Sequence, residues 1–141
     1  MIYTLSIECV CGPNLIEPFE RTVEVPSNST LGDLHWLILD LVEFDDEDHL
    51  TGFYVARTWE GPKAWLLDDS EETPWEMALE EIYPLPARRH LYFLYDFGDS
   101  WIFEIRKGKD KTEEEGVEYP CLIKSIGPPP DEYPVMDDSD F

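Results

Sequence analysis

The stretch from Leu91 to Ile105 constrains the fold more than any other part of the chain. Leu91 to Phe97 is a run apolar on nearly both faces, which a strand tolerates only when both its faces are covered. Asp96-Phe97-Gly98-Asp99-Ser100 then supplies turn chemistry, and Trp101, Phe103 and Ile105 alternate with Glu104 and Arg106. The segment predicts a tight hairpin at the centre of a sheet. Gly98 is expected to take the positive φ required at the first central position of a type II′ turn.

Other segments supply the neighbours that such a hairpin needs. Tyr3, Leu5, Ile7 and Cys9 alternate with polar residues and predict a strand over 2–9; Phe19, Val23 and Val25 predict a second, ending at Pro26. Thr30 and Asp33 form a capping pair ahead of Leu31, Leu34, Ile38, Leu41 and Val42, so a helix should run to about residue 43. Phe53 to Trp59 and Ala64 to Leu67 read as two strands around the Gly61-Pro62 turn. Thr73, Pro74 and Glu76 mark a second helix start, with Trp75, Leu79 and Ile82 on one face and an end near Tyr83. From Gly108 the chain turns polar, then Pro-rich at Pro128-Pro129-Pro130.

The expected fold class is therefore α+β: a two-layer domain over 1–134, with a mostly antiparallel or mixed sheet of about six strands and two helices on one face. The order reads ββαββαββ, with a β-grasp-like start. Residues 135–141 form an acidic C-terminal tail, expected to fray.

Charge narrows the partners. With 32 acidic against 10 basic residues, the net charge of −22 repels nucleic-acid phosphate and anionic lipid. The acids occur in runs, Glu43 to Asp48 around Phe44, Asp68 to Glu72, Glu113 to Glu115 and Asp137 to Asp140, as in solvated loops. Apolar runs are far too short to span a bilayer, and the first ten residues read as a strand, not a signal peptide, so a cytoplasmic location is expected.

Cys9, Cys11 and Cys121 make a disulfide framework improbable in such a chain. Cys9 and Cys11, two apart on a strand, are expected on one face. A closed zinc site would also need Cys121, His35, His49 or His90, none of which has ligand spacing, so a buried apolar role is preferred and no metal or cofactor is expected. Asp96 and Asp99 beside a sharp turn could hold a cation, but Asp is equally a standard turn residue. No nucleophile elbow, phosphate loop or dinucleotide fingerprint occurs, and Asp96-Phe97-Gly98 lacks every companion motif of a protein kinase.

Leu94-Tyr95-Asp96-Phe97-Gly98-Asp99-Ser100-Trp101 resembles the signature of the plasmid pRiA4b ORF-3-like family, in which Tyr-Asp-Phe-Gly-Asp precedes a Trp. The resemblance extends over Pro26 to Leu34, His49-Leu50, Phe53, Tyr119-Pro120-Cys121 and Pro129-Pro130-Asp131-Glu132. It implies kinship with genes of plasmids and mobile elements and no established activity. Where the family commonly has a His two residues after the Trp, this chain has Phe103; Cys121 follows Pro120 directly, and Tyr133-Pro134 replaces a Gly-Gly.

The candidate binding residues are Tyr95, Asp96, Asp99, Trp101, Cys121, Asp131 and Glu132, in a cleft between the second helix and the hairpin rimmed by the Pro-rich segment. The leading expectation is a non-catalytic adaptor whose aromatic and acidic surface meets a protein partner. The alternatives are an acidic DNA mimic that occupies a nucleic-acid-binding protein, and a metal-assisted hydrolase using Asp96 and Asp99 with the Cys121 to Glu132 segment.

Overall fold

A computed structural model describes residues 1–44, 50–68 and 75–132. His49, the Thr73-Pro74 helix start, Tyr133-Pro134, the 135–141 tail and much of the acidic runs fall outside these residues. No helix among those described is long and apolar enough to cross a membrane.

Seven strands form one sheet: β1 (Ile2–Cys11), β2 (Glu20–Pro26), β3 (Thr51–Ala56), β4 (Ala64–Asp68), β5 (His90–Tyr95), β6 (Trp101–Lys111) and β7 (Cys121–Ile126). Helix α1 (Leu31–Val42) follows β2, and α2 (Leu79–Ile82) precedes β5. The strands lie in the order β4-β3-β5-β6-β1-β2-β7, and every pairing is antiparallel.

The expected hairpin is central, as its doubly apolar sequence requires. Phe93 faces Phe53 on β3 and Phe103 on β6, and all three are fully buried. With Leu5, Ile7, Val23 and Ile105 they form the floor on which α1 packs Leu31, Leu34, Ile38 and Val42. The helix starts where its capping pair places it: the Asp33 amide donates to Thr30 Oγ1 at 3.1 Å, and the Thr30 amide donates to Asp33 Oδ2 at 2.9 Å.

The expected two-helix α+β layout of six strands in the order ββαββαββ is corrected to a mostly antiparallel seven-strand sheet with two short helices, on three points. The seventh strand, Cys121–Ile126, pairs with β2 at a sheet edge; five of its six side chains are exposed, so no buried face marked it in the sequence. The second helix is one turn, Leu79–Ile82, with Ala78 at its N-cap. Residues 75–77 stay out of it because the Trp75 and Met77 carbonyls accept the Gly32 and Leu31 amides, at 2.9 and 3.0 Å. These are orphan donors of the first turn of α1, and they take up carbonyls that a longer helix would commit to its own amides. Finally, the second neighbour of β1 is the antiparallel β6, so the β-grasp-like start and the mixed sheet are not observed.

Candidate functional site

The hairpin loop is wider than a two-residue turn. Tyr95 and Trp101 are the last paired residues, and positive φ falls on Asp96 (58°) and Ser100 (57°), not on Gly98. Asp tolerates this region because its short side chain bonds nearby backbone. Asp96 Oδ1 accepts the amides of Gly98 and Asp99, at 3.1 and 3.3 Å, while the Asp96 amide donates to the Leu50 carbonyl at 2.9 Å. The Asp96 carboxylate thus organises the loop, and Asp99 stands exposed at its tip.

Below the loop, Tyr95 and Trp101 are fully buried around Phe44, with ring centroids at 5.3 and 4.9 Å. Gly127 (φ 76°) turns the chain after β7, where a Cβ would lie 1.7 Å from the Pro18 carbonyl oxygen. The Pro-rich segment then returns to the hairpin end of the sheet. There the Tyr95 hydroxyl donates to Glu132 Oε2 at 2.8 Å, and the Asn14 amide donates to the Asp131 and Glu132 carbonyls at 3.1 and 3.4 Å.

Tyr95, Trp101, Asp131 and Glu132 therefore gather beneath and beside the Asp96–Asp99 loop. Cys121 does not join them: it pairs with Glu24, at the end of β7 away from Ile126, so about five residues or roughly 17 Å of strand intervene. The expected cleft between α2 and the hairpin is also corrected. Leu79 and Glu80 donate to the Ser29 and Ser27 carbonyls, and Ser27 donates to Met1, which puts α2 at the opposite end of the sheet.

The two N-terminal thiols are separated too. Cys9 faces Phe103 while Cys11 faces Ile102, so two steps on β1 match one on β6. This bulge turns Cys9 into the main core and sets Cys11 against the cluster of Tyr54, Tyr92 and Ile102 on the other face, contrary to the alternation expected. Burial pushes the Cys9 thiol up to about 12, so it stays protonated. No group of three His, Cys, Asp or Glu among the described residues could hold a metal.

A second site lies on α1. Asp33, Trp36, Leu37 and Asp40 fall on one side of the helix and wall a groove of about 670 Å³, closed by Pro26 and, from the turn before β7, by Tyr119 and Pro120. Trp36 is 62% exposed, the most exposed Trp described. The groove runs toward the β7 edge, where Leu122 and Ile123 are half exposed. The sequence held one signal for it: a Trp between two aspartates on the polar side of a helix.

The sequence profile of the plasmid pRiA4b ORF-3-like protein family matches residues 13–133. The chain belongs to this family. No curated protein matches it. Among solved structures, a protein of unknown function from Methanosarcina mazei Go1 is similar at 24% identity and a TM-score of 0.69, covering 88% of this chain and 68% of the other. At that identity the likeness concerns the fold.

In this member of the plasmid pRiA4b ORF-3-like family, the signature builds structure: Tyr95 latches Glu132, Asp96 organises the loop, and Trp101 fills the core. Phe103, where the resemblance leads one to expect a His, is fully buried with Phe93, Phe19 and Phe44 around it at 6.2 to 6.4 Å. His35 is likewise a core residue, edge-on to Trp75 and Phe93 at 5.0 and 5.4 Å.

The outer face of the sheet carries a polar row that sequence reading missed. Tyr54, Tyr92, Glu104, Glu8 and Glu20 stand opposite one another across five adjacent strands. The Tyr92 hydroxyl donates to Glu104 Oε2 at 3.1 Å, and Arg106 Nε donates to the other Glu104 oxygen. Lost hydration, then the carboxylates of Glu104 and Glu20, raise the Glu8 pKa, with Arg106 opposing them.

Proposed function

We propose that this domain is a non-catalytic adaptor that takes a basic, extended segment of a protein partner into the groove between α1 and Tyr119-Pro120. The observation that carries this reading is Trp36: a large aromatic side chain left largely in water, beside an open groove and between Asp33 and Asp40. Exposed aromatics beside concave surface are the usual anchors of protein interfaces. The two aspartates and the net charge of −22 select a cationic partner and argue against nucleic acid.

The hydrolase alternative draws less support, because the amides of its own loop occupy Asp96 Oδ1 and Cys121 lies far along β7. The DNA-mimic alternative rests on acidic runs that lie largely outside the described residues.

The test compares two decapeptides of equal Lys and Arg content, one with leucines at alternate positions and one with serines. The leucine peptide should bind more tightly to the wild type. Trp36→Ala should weaken it by about 2 kcal/mol, roughly thirtyfold, and erase the preference over the serine peptide. Equal binding of both peptides to both proteins would refute the groove and leave only diffuse charge attraction.

A further inference from the structure

The chain has few cations, and they are not evenly spread. Four of its ten Lys and Arg residues, Arg88, Arg89, Arg106 and Lys107, line one cavity of about 570 Å³ between the α2–β5 connection and β6. That volume suits a small ligand. His90 adjoins them, and Asp110 is the one carboxylate in the lining.

The cavity has an aromatic wall and a cationic rim. Tyr3 and Tyr83 meet edge to face at 5.9 Å, and Lys107 Nζ sits 4.4 Å from the Tyr3 ring centroid. Lys107 pairs with Asp110, and Arg106 with Glu104. Arg88 and Arg89 have no ion-pair partner among the described residues. The Tyr83 hydroxyl is buried with no hydrogen-bond partner among them.

The backbone is held so as to present these arginines. The Arg89 amide donates to the Pro86 carbonyl at 3.1 Å, closing a turn in which Arg88 has φ 62°. Glycine would occupy that conformation more cheaply, so a large charged residue there is strained. Arg88 and Arg89, adjacent and without matching anions among the described residues, repel one another, and distant acidic runs do not neutralise them, because the Debye length is about 10 Å at 0.1 M salt.

We propose that this cavity binds a small organic phosphate, with the phosphoryl group on Arg88 and Arg89 and the apolar body against Tyr3 and Tyr83. Arginine forks match phosphate oxygens, and the rings and prolines suit a flat organic group. This site is separate from the α1 groove.

The test is a titration at constant ionic strength with phenyl phosphate and with inorganic phosphate, followed by amide chemical shifts. Phenyl phosphate should bind more tightly than inorganic phosphate, with saturable shifts confined to residues 83–90 and 105–107. Arg88→Gly with Arg89→Ala should lower its affinity at least tenfold while its amide spectrum keeps the dispersion of the wild type, which shows that the loss is not unfolding, and Arg88→Gly alone, which removes one fork and relieves the positive φ, should lose part of that affinity. Absence of saturable binding in the millimolar range, or equal affinity in wild type and double variant, would overturn the proposal.

Discussion

Gly12→Ala is predicted to be among the most damaging single-methyl changes in the chain. A Cβ at Gly12 would lie 2.1 Å from Trp101 Cε3, 2.2 Å from Cζ3 and 2.8 Å from Cδ2. Carbon atoms in contact prefer about 3.5 Å or more, so the indole would have to retreat by roughly 1.4 Å. It has little room: Trp101 is fully buried and Phe44 stands 4.9 Å from it. Overpacking of this kind costs about 1–3 kcal/mol, and the depth of the overlap places Gly12→Ala near the upper end. For a chain of this size, that lowers Tm by about 6–9 °C. Urea denaturation and calorimetry measure the cost, and Trp101→Phe combined with Gly12→Ala should be less destabilised than the two single changes summed, because the smaller ring clears the methyl. A cost for Gly12→Ala below about 0.5 kcal/mol, or strict additivity in the double variant, would refute the packing argument.

Three further outcomes are expected. Glu8 has a raised pKa in the folded state, so its contribution to stability is fully present below its ordinary value of 4.5 and is lost as pH rises through the folded value; because Glu8 is exposed and screened by solvent, Glu8→Gln should stabilise by only about 0.2–0.5 kcal/mol at pH 7 and flatten the stability profile above pH 4.5, read by denaturation across pH. Asp96→Ala removes the acceptor of two loop amides and with it the local bonding that makes φ 58° tolerable, for a loss of about 1–2 kcal/mol in urea, whereas Asp96→Asn should lose less than half of that. Tyr95→Phe should release the return segment, seen as faster hydrogen exchange and proteolysis at residues 128–132, with a loss of about 1–2 kcal/mol.

How much was legible follows from the range over which each signal acts. The start of α1 was readable because Thr30 and Asp33 cap it within one turn, and the central hairpin because the run from Leu91 to Phe97 is apolar on nearly both faces. The conformation of the hairpin loop was not, since an Asp whose carboxylate collects two amides substitutes for the glycine that a tighter turn needs. The bulge at Cys9 and Cys11 depends on the partner strand β6, and β7 earned its place through backbone pairing to β2 with almost no buried side chain. The single turn of α2 reflects carbonyls committed to the amides of α1, a tertiary demand that overrides the local helix signal. Of the candidate residues, Tyr95, Trp101, Asp131 and Glu132 lie together at the hairpin end of the sheet, and Cys121 lies apart. Trp36 with Tyr119, and Arg88 with Lys107, are far apart in the sequence, so neither surface could be read before the sheet order was known.

The most direct test of the proposed function is the amide and indole spectrum of the protein during titration with the leucine-bearing basic decapeptide. The account predicts that the Trp36 indole N–H shifts together with amides of residues 33–40 and 118–122, and that Asp40→Asn weakens binding. Shifts scattered over the acidic segments, with the Trp36 indole unmoved, would contradict it.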